Sequence, residues 1–463
     1  MLAVLFFLEL LKLIIRAKCD KIDMSCYIAG IFIRGEKNMR IKKGYSLIVV
    51  LLCGILFMGG CTQNKKEKSD EKKEEKITLE VYAWADEEKN LKLLADAYSE
   101  KHPQIEIHAN IIPIEEYRQR MLSLKNGNGQ ADCIFSPSPA EAILWENKGM
   151  LKNLDSYLQD VKEEEYYEKC YQEGDGDSAS YMIPYRRSHW AVYYNKTLFD
   201  KMGVDYPKQG WTWEDYEETA VQLSGWVDGR KTYGSLSFEP SSLWWRVPAR
   251  TEGANNPLVY SDLEAFKKSA QWIYHLTYDL GAQQPYTEQK GNGYEYDANF
   301  LKGNIGMYFS GDWSATVLNQ VIQESGEAFE YDIAPMPHWE GKENYTISDA
   351  SLISMLEATE HPDETFDFIH FVTGKEGASV LAKSSVIPAW NSDDIIQLYK
   401  ESAKMPEHTE YFFTEGKVSK VPSTVRYNEG MEIIKDEVSL YLLQEQNIDQ
   451  TFDNIGRKLE DVW

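Results

Sequence analysis

The chain has 463 residues, with 49 lysines and arginines against 74 aspartates and glutamates, so its formal net charge at pH 7 is −25. Phosphate backbones are bound by clustered basic residues, so this charge argues against a nucleic-acid partner. The length is sufficient for two domains of ordinary size. The 29 tyrosines and 13 tryptophans suit a soluble protein that handles neutral polar ligands.

A secretory signal is predicted at residues 39–60. Basic residues follow Met39, and the apolar run from Ser46 to Met58 is too short for an ordinary membrane-spanning helix. The small residues before Cys61 are similar to the lipobox of bacterial lipoproteins, in which the cysteine is diacylated and becomes the new N-terminus. This resemblance implies a lipid-modified Cys61, carrying palmitate-type chains, that anchors the protein on the extracytoplasmic face of the cell membrane. The alternative is an uncleaved anchor helix.

Two further segments flank this signal. Residues 1–38 carry a second apolar run, and we interpret them as a non-native N-terminal extension, with Met39 rather than Met1 as the true start. Residues 61–76 alternate lysine and glutamate and hold no apolar side chain that could bury a core. They are predicted to form a flexible tether between lipid and domain.

Strands and helices alternate from Ile77 onward, which predicts crossover units and a largely parallel sheet. Period-two apolar patterns indicate strands, and apolar residues at helical spacing indicate helices. The predicted strands are Ile77 to Trp84, residues 105–111 and residues 131–135, and the predicted helices are residues 87–100, a segment around Tyr117 to Leu124, and residues 140–149.

The second half of the chain carries similar patterns. Trp190 to Asn195 reads as a strand, and Pro362 to Val372 reads as a helix that follows the segment Ser348 to Met355. Thr212 with Asp215 has the spacing of a capping box, as does Ser261 with Glu264. Both pairs predict helix starts.

The segment from Phe300 to Trp313 combines a helix end, a strand and a turn. Gly303 is suited to end a helix because glycine takes positive φ without a steric cost. Gly311 is predicted to turn the chain sharply at the strand exit. Asp312 and Trp313 would then point into a cleft, although a buried tryptophan in an ordinary turn is the structural alternative.

Sequence signatures of catalysis and metal binding are absent. The chain holds no nucleophile elbow, no zinc-protease helix, no phosphate-binding loop and no histidine or cysteine pair at metal spacing, so no metal or cofactor is expected. Asp312 and Asp349 form the one carboxylate pair considered for glycoside hydrolysis. After the leader only Cys133 and Cys170 remain, either as free thiols or as a single disulfide.

Aromatic and polar residues instead cluster at predicted strand exits. A sugar has an apolar C–H face and a rim of hydroxyls, so its site needs aromatic rings together with Asp, Asn or Arg. Each aromatic has core packing as its alternative role. The candidate ligand-binding residues are Trp84, Asp86, Ser136, Arg186, Arg187, Trp244, Trp245, Asp312, Trp313 and Asp349.

Several motifs occur in the order and spacing of one known family. They are Tyr194-Asn195-Lys196-x-Leu198-Phe199, Trp211-Thr212-Trp213-Glu214-Asp215-Tyr216, Phe300-x-x-Gly303-x-x-x-Met307-x-x-x-Gly311-Asp312-Trp313, and Ala334-Pro335-Met336-Pro337. With them the chain resembles the extracellular solute-binding proteins of carbohydrate-type ABC importers, the group that includes maltose-binding protein. One departure is Ser348-Asp349-Ala350, where the family often shows a glycine pair.

The resemblance implies an α/β, two-lobe fold of the type II periplasmic-binding-protein class, each lobe a mixed sheet flanked by helices, with a hinge between them. Residues 77–186 plus 336–372 would form lobe one, and residues 187–335 plus 373–463 lobe two. It further implies a monomeric, non-enzymatic receptor that captures a carbohydrate, with an oligosaccharide favoured by the aromatic content, and delivers it to ABC permease subunits. The alternatives are a secreted carbohydrate-active enzyme using Asp312 or Asp349, and a binding protein for a solute such as a polyamine.

Overall fold

The computed structural model describes residues 76–125, 130–159, 161, 181–291, 296–326, 329–390, 392–403, 405–413, 417–418 and 425–462. All of them belong to one compact unit, Glu74–Trp463. The N-terminal extension, the signal, Cys61, nearly all of the tether and Cys170 lie outside the described residues. Within the described ranges, no helix has both the length and the apolar character that crossing a bilayer requires.

The order of elements alternates strands and helices in the first half and becomes mainly helical after residue 360. The strands are β1 Ile77–Trp84, β2 Ile105–Ile112, β3 Cys133–Ser136, β4 Ile183–Asn195, β5 Gly225–Val227, β6 Arg230–Leu236, β7 Gln283–Gln284, β8 Ile305–Gly311, β9 Tyr331–Pro335, β10 Tyr345–Thr346, β11 Ser348–Met355 and β12 Lys417–Val418. The α-helices are α1 Glu88–Lys101, α2 Ile114–Lys125, α3 Pro139–Asn147, α4 Asp155–Leu158, α5 Lys196–Met202, α6 Trp213–Gln222, α7 Val247–Arg250, α8 Tyr260–Tyr274, α9 Tyr286–Gly291, α10 Tyr296–Phe300, α11 Trp313–Ser325, α12 Pro362–Thr373, α13 Lys375–Lys383, α14 Asp393–Ser402, α15 Val425–Leu442 and α16 Ile448–Leu459.

Strand β4 connects two mixed groups of strands. Its first half pairs antiparallel with β11, and through β11 it continues to β3, β1 and β2. Its second half pairs antiparallel with β8 and with β9, and β6 joins β8 in parallel. The prediction of a largely parallel sheet holds for β1 to β3 and for β6 with its neighbours β7 and β8. It is wrong for β4 and β11, which pair antiparallel with their neighbours.

The side chains of β4 alternate between two hydrophobic cores, which explains why this strand lies in the middle of the sheet. Val192 and Tyr194 face one hydrophobic core, whereas Ala191 and Tyr193 face another, and all four are buried. A strand that is buried on both faces has no polar face to expose, so it fits the middle of a sheet. The predicted strand began at Trp190, and the structure extends it back to Ile183.

Three hydrophobic cores surround these strands. One is built by the first elements, β1 to α4, together with the start of β4 and residues 353–386. The other two lie on opposite sides of the second half of β4 and contain β8, β9 and the helices α6, α8, α15 and α16. Met336, Trp339 and Ile347 belong to one of these latter cores rather than to the first.

The two predicted capping boxes have different outcomes. The Thr212 hydroxyl accepts from the Asp215 backbone N–H at 3.1 Å, and the Asp215 carboxylate accepts from the Thr212 N–H at 2.8 Å, so this box is confirmed. The Ser261 box is wrong, because the N-cap of α8 is Val259, two residues earlier, and valine offers no side-chain acceptor.

Replacing Thr212 by alanine is expected to lower the free energy of unfolding by about 1 kcal/mol, since one N-terminal N–H of α6 loses its acceptor. Ser261→Ala is the matched control and is expected to cost less than about 0.5 kcal/mol, as an exposed serine outside a cap. Urea unfolding followed by circular dichroism measures both. Equal losses for the two variants would contradict this account of the helix starts.

Candidate ligand-binding site

The junction of β8 and α11 places Asp312 and Trp313 at the exit of a central strand. β8 ends at Gly311 and α11 begins at Trp313, with Asp312 as the N-cap residue. The Asp312 carboxylate makes no capping hydrogen bond with α11. It is buried, and its Oδ2 lies 3.9 Å from Nη2 of Arg186 on β4. Asp312 therefore directs its charge toward β4 rather than along its own helix.

Gly311 is required here for a reason other than the predicted turn. The chain does change from strand to helix here, as predicted, but Gly311 is not among the residues with positive φ. The ring of Trp313 instead covers its Cα, and a Cβ at position 311 would lie 1.9 Å from Cζ3 of that ring. The absent side chain makes room for the tryptophan.

We expect Gly311→Ala to displace the Trp313 ring and to lower the free energy of unfolding by about 1–3 kcal/mol, the usual cost of overpacking. Gly456→Ala is the control, because a Cβ there meets nothing within 4 Å and lies in helix α16. The control should be neutral or slightly stabilising. Near-UV circular dichroism and thermal melts report both effects, and an unchanged tryptophan signal in Gly311→Ala would contradict the packing argument.

Five aromatic residues, which we call the aromatic cluster, gather at this junction: Phe238, Trp190, Trp244, Tyr296 and Trp313. The Trp190 and Trp313 rings meet edge to face at 5.6 Å and 89°, and Trp244 stacks on Phe238 at 3.7 Å. The Trp313 indole N–H donates to the Tyr296 hydroxyl at 3.0 Å. Trp313 and Trp244 are only partly buried, so part of their ring surface stays accessible. These rings can offer stacking surface that is already held in place.

An open pocket adjoins the aromatic cluster. Its walls include Phe238, Trp244, Pro240, Tyr286 and Phe309, so its lining is largely aromatic and apolar. The free space inside it is about 30 Å³, which is room for about two water molecules rather than for a sugar ring.

Three charged side chains form what we call the ionic triad: Glu87, Arg186 and Asp312. Arg186 donates from Nη1 to Glu87 Oε1, and Asn90 donates to the other Glu87 oxygen at 2.8 Å. The three charged residues are exposed by only 1 %, 7 % and 2 %, respectively. Burial disfavours the charge of Arg186, but Glu87 and Asp312 outweigh it and the pKa of Arg186 is raised. Arg186 therefore stays charged in a site from which most solvent is excluded, because two carboxylates face it.

Three candidate ligand-binding residues come from the first part of the chain, and their surroundings differ. Trp84 is buried and meets Tyr117 edge to face at 6.2 Å. Asp86 is exposed, and its neighbour Glu87 takes the buried position. Ser136 ends β3 in the interior, and its hydroxyl has no hydrogen-bond partner among the described residues.

The other candidate ligand-binding residues lie in different parts of the backbone. Trp244 and Trp245 lie on a 3₁₀ turn, Trp244–Arg246, rather than on a strand, and Trp245 is buried against Phe266. Arg187 is half-buried next to Arg186 on β4. The backbone of Asp349 pairs with Ser188, while its side chain lies outside the described part of the structure. Contact of any of these residues with a ligand remains a prediction.

One group of side chains in the described ranges has the composition of a metal site. Asp332, Glu407 and His408 bring their ligand atoms within 4.8 Å of one another, beside the far end of β4. Asp332 accepts from His408 Nδ1 at 2.6 Å and Lys196 contacts Glu407 at 3.4 Å. These contacts hold the segment around His408 on β9, which is a structural role.

Comparison with known proteins identifies the family. Residues 84–379 match the family described as bacterial extracellular solute-binding protein. The chain belongs to this family. The match spans the β1 exit, the β4 crossing and the β8–α11 junction, and so includes every member of the ionic triad and the aromatic cluster.

Relatives of this solute-binding protein have similar length and the same fold. A multiple sugar-binding protein of Streptococcus mutans is 24% identical over 356 residues, which cover 72% of this chain and 78% of the relative. A sugar transporter of Rhizobium etli in an open conformation superposes with a TM-score of 0.69 at 24% identity, over 83% of this chain and 99% of the other. An ABC substrate-binding protein of Listeria monocytogenes in complex with cycloalternan gives 0.71 at 20% identity, over 83% and 98%.

These findings confirm the predicted fold class, the two-lobe type II periplasmic-binding-protein fold. The family and the structural neighbours are binding proteins, and this solute-binding protein is likewise not an enzyme. The alternative of hydrolysis by Asp312 or Asp349 is therefore set aside.

Proposed function

We propose that this protein is a receptor that captures a carbohydrate, in particular an oligosaccharide, and delivers it to an ABC importer. The observation that carries the proposal is the aromatic cluster beside the ionic triad. Rings that stack on the C–H face of a sugar adjoin charged groups that bond its hydroxyls. The relative from S. mutans is named for sugar binding, and the L. monocytogenes protein was solved with cycloalternan.

The proposed site has a wall from each side of the β4 crossing. Trp313 and Asp312 belong to the segment after β8, and Glu87 follows β1, while Arg186 on β4 reaches both carboxylates. A ligand that contacts both walls stabilises a closed arrangement of the lobes over an open one. The membrane permease would bind this closed form of the receptor.

The limits of the lobes are also part of the proposal. Met336, Trp339 and Ile347 share a core with α6, which supports placing the segment before β11 in lobe two. Helix α13 contacts two cores, because Leu381 packs with β1 whereas Ala378 and Ala382 pack with β4 and β8. We propose that lobe one spans residues 77–186 plus 348–372 and that the remainder forms lobe two.

Anchoring through Cys61 remains part of the proposal and is supported by the sequence of the signal. A diacylated cysteine followed by a charged tether would hold a monomeric receptor close to the permease on the extracytoplasmic face. Cys61→Ala is expected to release the protein from the membrane fraction into the medium, and intact mass spectrometry of the native protein should show the lipid.

The test of the binding function is a panel of oligosaccharides added to the purified protein. We expect at least one glycan to raise the melting temperature, because a ligand that binds only the folded state stabilises it. Chromatography of the same mixture should recover the glycan unchanged. A panel of polyamines serves as the comparison, and stabilisation by polyamines alone would refute the proposal.

A further inference from the structure

A second pocket, which we call the Tyr411 pocket, lies near the C-terminal end of β4. Its walls include Asp205, Tyr206, Lys208 and Tyr411. The free space inside it is about 260 Å³, against about 30 Å³ in the pocket beside Trp244. Of these two pockets, the Tyr411 pocket is the one with room for a whole sugar ring.

The Tyr411 pocket is separate from the aromatic cluster. Tyr194, which also lines the pocket, is opposite Asp332 of β9, whereas Trp190 is opposite Gly311 of β8. The four steps along β4 from Trp190 to Tyr194 span about 13 Å. All of the residues that line the pocket fall within the proposed lobe two. A ligand can therefore occupy it whether the lobes are open or closed.

The Tyr411 ring is held at the pocket by a chain of contacts. It stacks on the His408 imidazole, with ring centroids 5.8 Å apart and planes that differ by 20°. His408 is fixed in turn, because the Asp332 carboxylate accepts from its backbone N–H at 3.0 Å and from its Nδ1 at 2.6 Å. Within the described residues, His408 is the one aromatic ring that Tyr411 contacts, and Tyr411 is only partly buried. Part of a fixed ring surface thus remains for a ligand.

Asp205 and Lys208 supply polar groups to the same pocket. Both are exposed, and neither side chain makes a hydrogen bond or an ion pair with a described residue. Tyr206 lies between them in the chain, and its hydroxyl donates to Asp200 at 2.7 Å. A carboxylate accepts from hydroxyl groups and an ammonium donates to them, so this pair can bind two hydroxyls of one sugar.

We propose that the Tyr411 pocket is a second carbohydrate site, in which one sugar residue stacks on Tyr411 and bonds Asp205 and Lys208 through its hydroxyls. Aromatic surface beside uncommitted donors and acceptors is the combination that a sugar requires. The inference goes beyond the proposed receptor function, which needs a single site between the lobes. A glycan held in the Tyr411 pocket stays on the receptor while the lobes open and close.

The experiment titrates the full chain with short neutral manno-, malto- and cello-oligosaccharides and records both heat and tryptophan fluorescence. No tryptophan lines the Tyr411 pocket, so binding there should give heat without a fluorescence change, whereas binding beside Trp313 should give both. We expect two molecules of at least one glycan per protein at saturation. One glycan per protein with a fluorescence change overturns the inference and leaves the receptor function standing. Binding that is only fluorescence-silent supports the pocket and refutes the receptor site, and no binding of any glycan refutes both.

Variants assign the fluorescence-silent event to the pocket. Tyr411→Ala should weaken this event roughly tenfold and leave the other unchanged, whereas Trp313→Ala should do the reverse. The double variant Asp205→Ala with Lys208→Ala removes two exposed side chains, so the fold is kept, and it should weaken the silent event roughly fivefold. Gln209→Ala, an exposed neighbour outside the lining, is the matched control and should change neither event. The inference is overturned if neither pocket variant weakens the silent event, or if Trp313→Ala abolishes both events.

Discussion

Replacing Arg186 by methionine is expected to lower the free energy of unfolding by about 3–5 kcal/mol, the largest effect that we predict for a single substitution. Arg186 is the cation that faces Glu87 and Asp312, and both carboxylates are buried. Without it, both buried carboxylates lose the cation that faces them. Urea denaturation followed by tryptophan fluorescence measures the loss.

Two further variants separate charge from packing. Arg187→Met removes a half-buried arginine from the adjacent position and is expected to cost less than about 1 kcal/mol. The double variant Glu87→Gln with Arg186→Met should recover part of the loss, since only one of the two buried carboxylates is then left without the arginine that faced it. A loss for Arg186→Met no greater than that for Arg187→Met would refute the structural importance of the ionic triad.

The second large effect concerns binding: Trp313→Ala should weaken sugar affinity by roughly 1–3 kcal/mol, or about 5- to 150-fold. The Trp313 ring is held by Trp190, by the Tyr296 hydroxyl and by the Cα of Gly311, and it is only partly buried. A ring fixed in this way stacks on a ligand without first losing rotational freedom.

Trp226→Ala provides the matched control for this measurement. Trp226 is 73% exposed on β5 and is not part of the aromatic cluster. Its removal should leave sugar affinity unchanged, as calorimetric titration can show. If Trp313→Ala keeps full affinity while its melting curve stays that of a folded protein, Trp313 is not a ligand contact.

Strands and helices were predictable from sequence where the apolar periodicity of the segment itself marks the element. β1 has the predicted bounds, and α12 extends the predicted helix by one residue, since apolar periodicity marks both directly. The extent of β4 was not predictable. Its first residues are held by pairing with β11, a strand more than 150 positions away in the sequence, and such partners leave no local signal.

The candidate site was predictable in its residue types but not in its arrangement. Asp312 and Trp313 stand where a strand-exit argument places them. Glu87 was missed in favour of Asp86, because a 3₁₀ turn, Ala85–Glu87, follows β1 and turns Glu87 rather than Asp86 inward. The aromatic partners Phe238 and Tyr296 come from separate segments and gain significance only through their contacts with Trp244.

The most direct test of the account is a crystal structure of the protein with the oligosaccharide that stabilises it most. We predict an intact glycan with a sugar ring stacked on Trp313 and a hydroxyl bonded to both Asp312 and Arg186. A glycan bound elsewhere on the molecule, with Trp313 and the ionic triad free of contacts to it, would contradict the central claim.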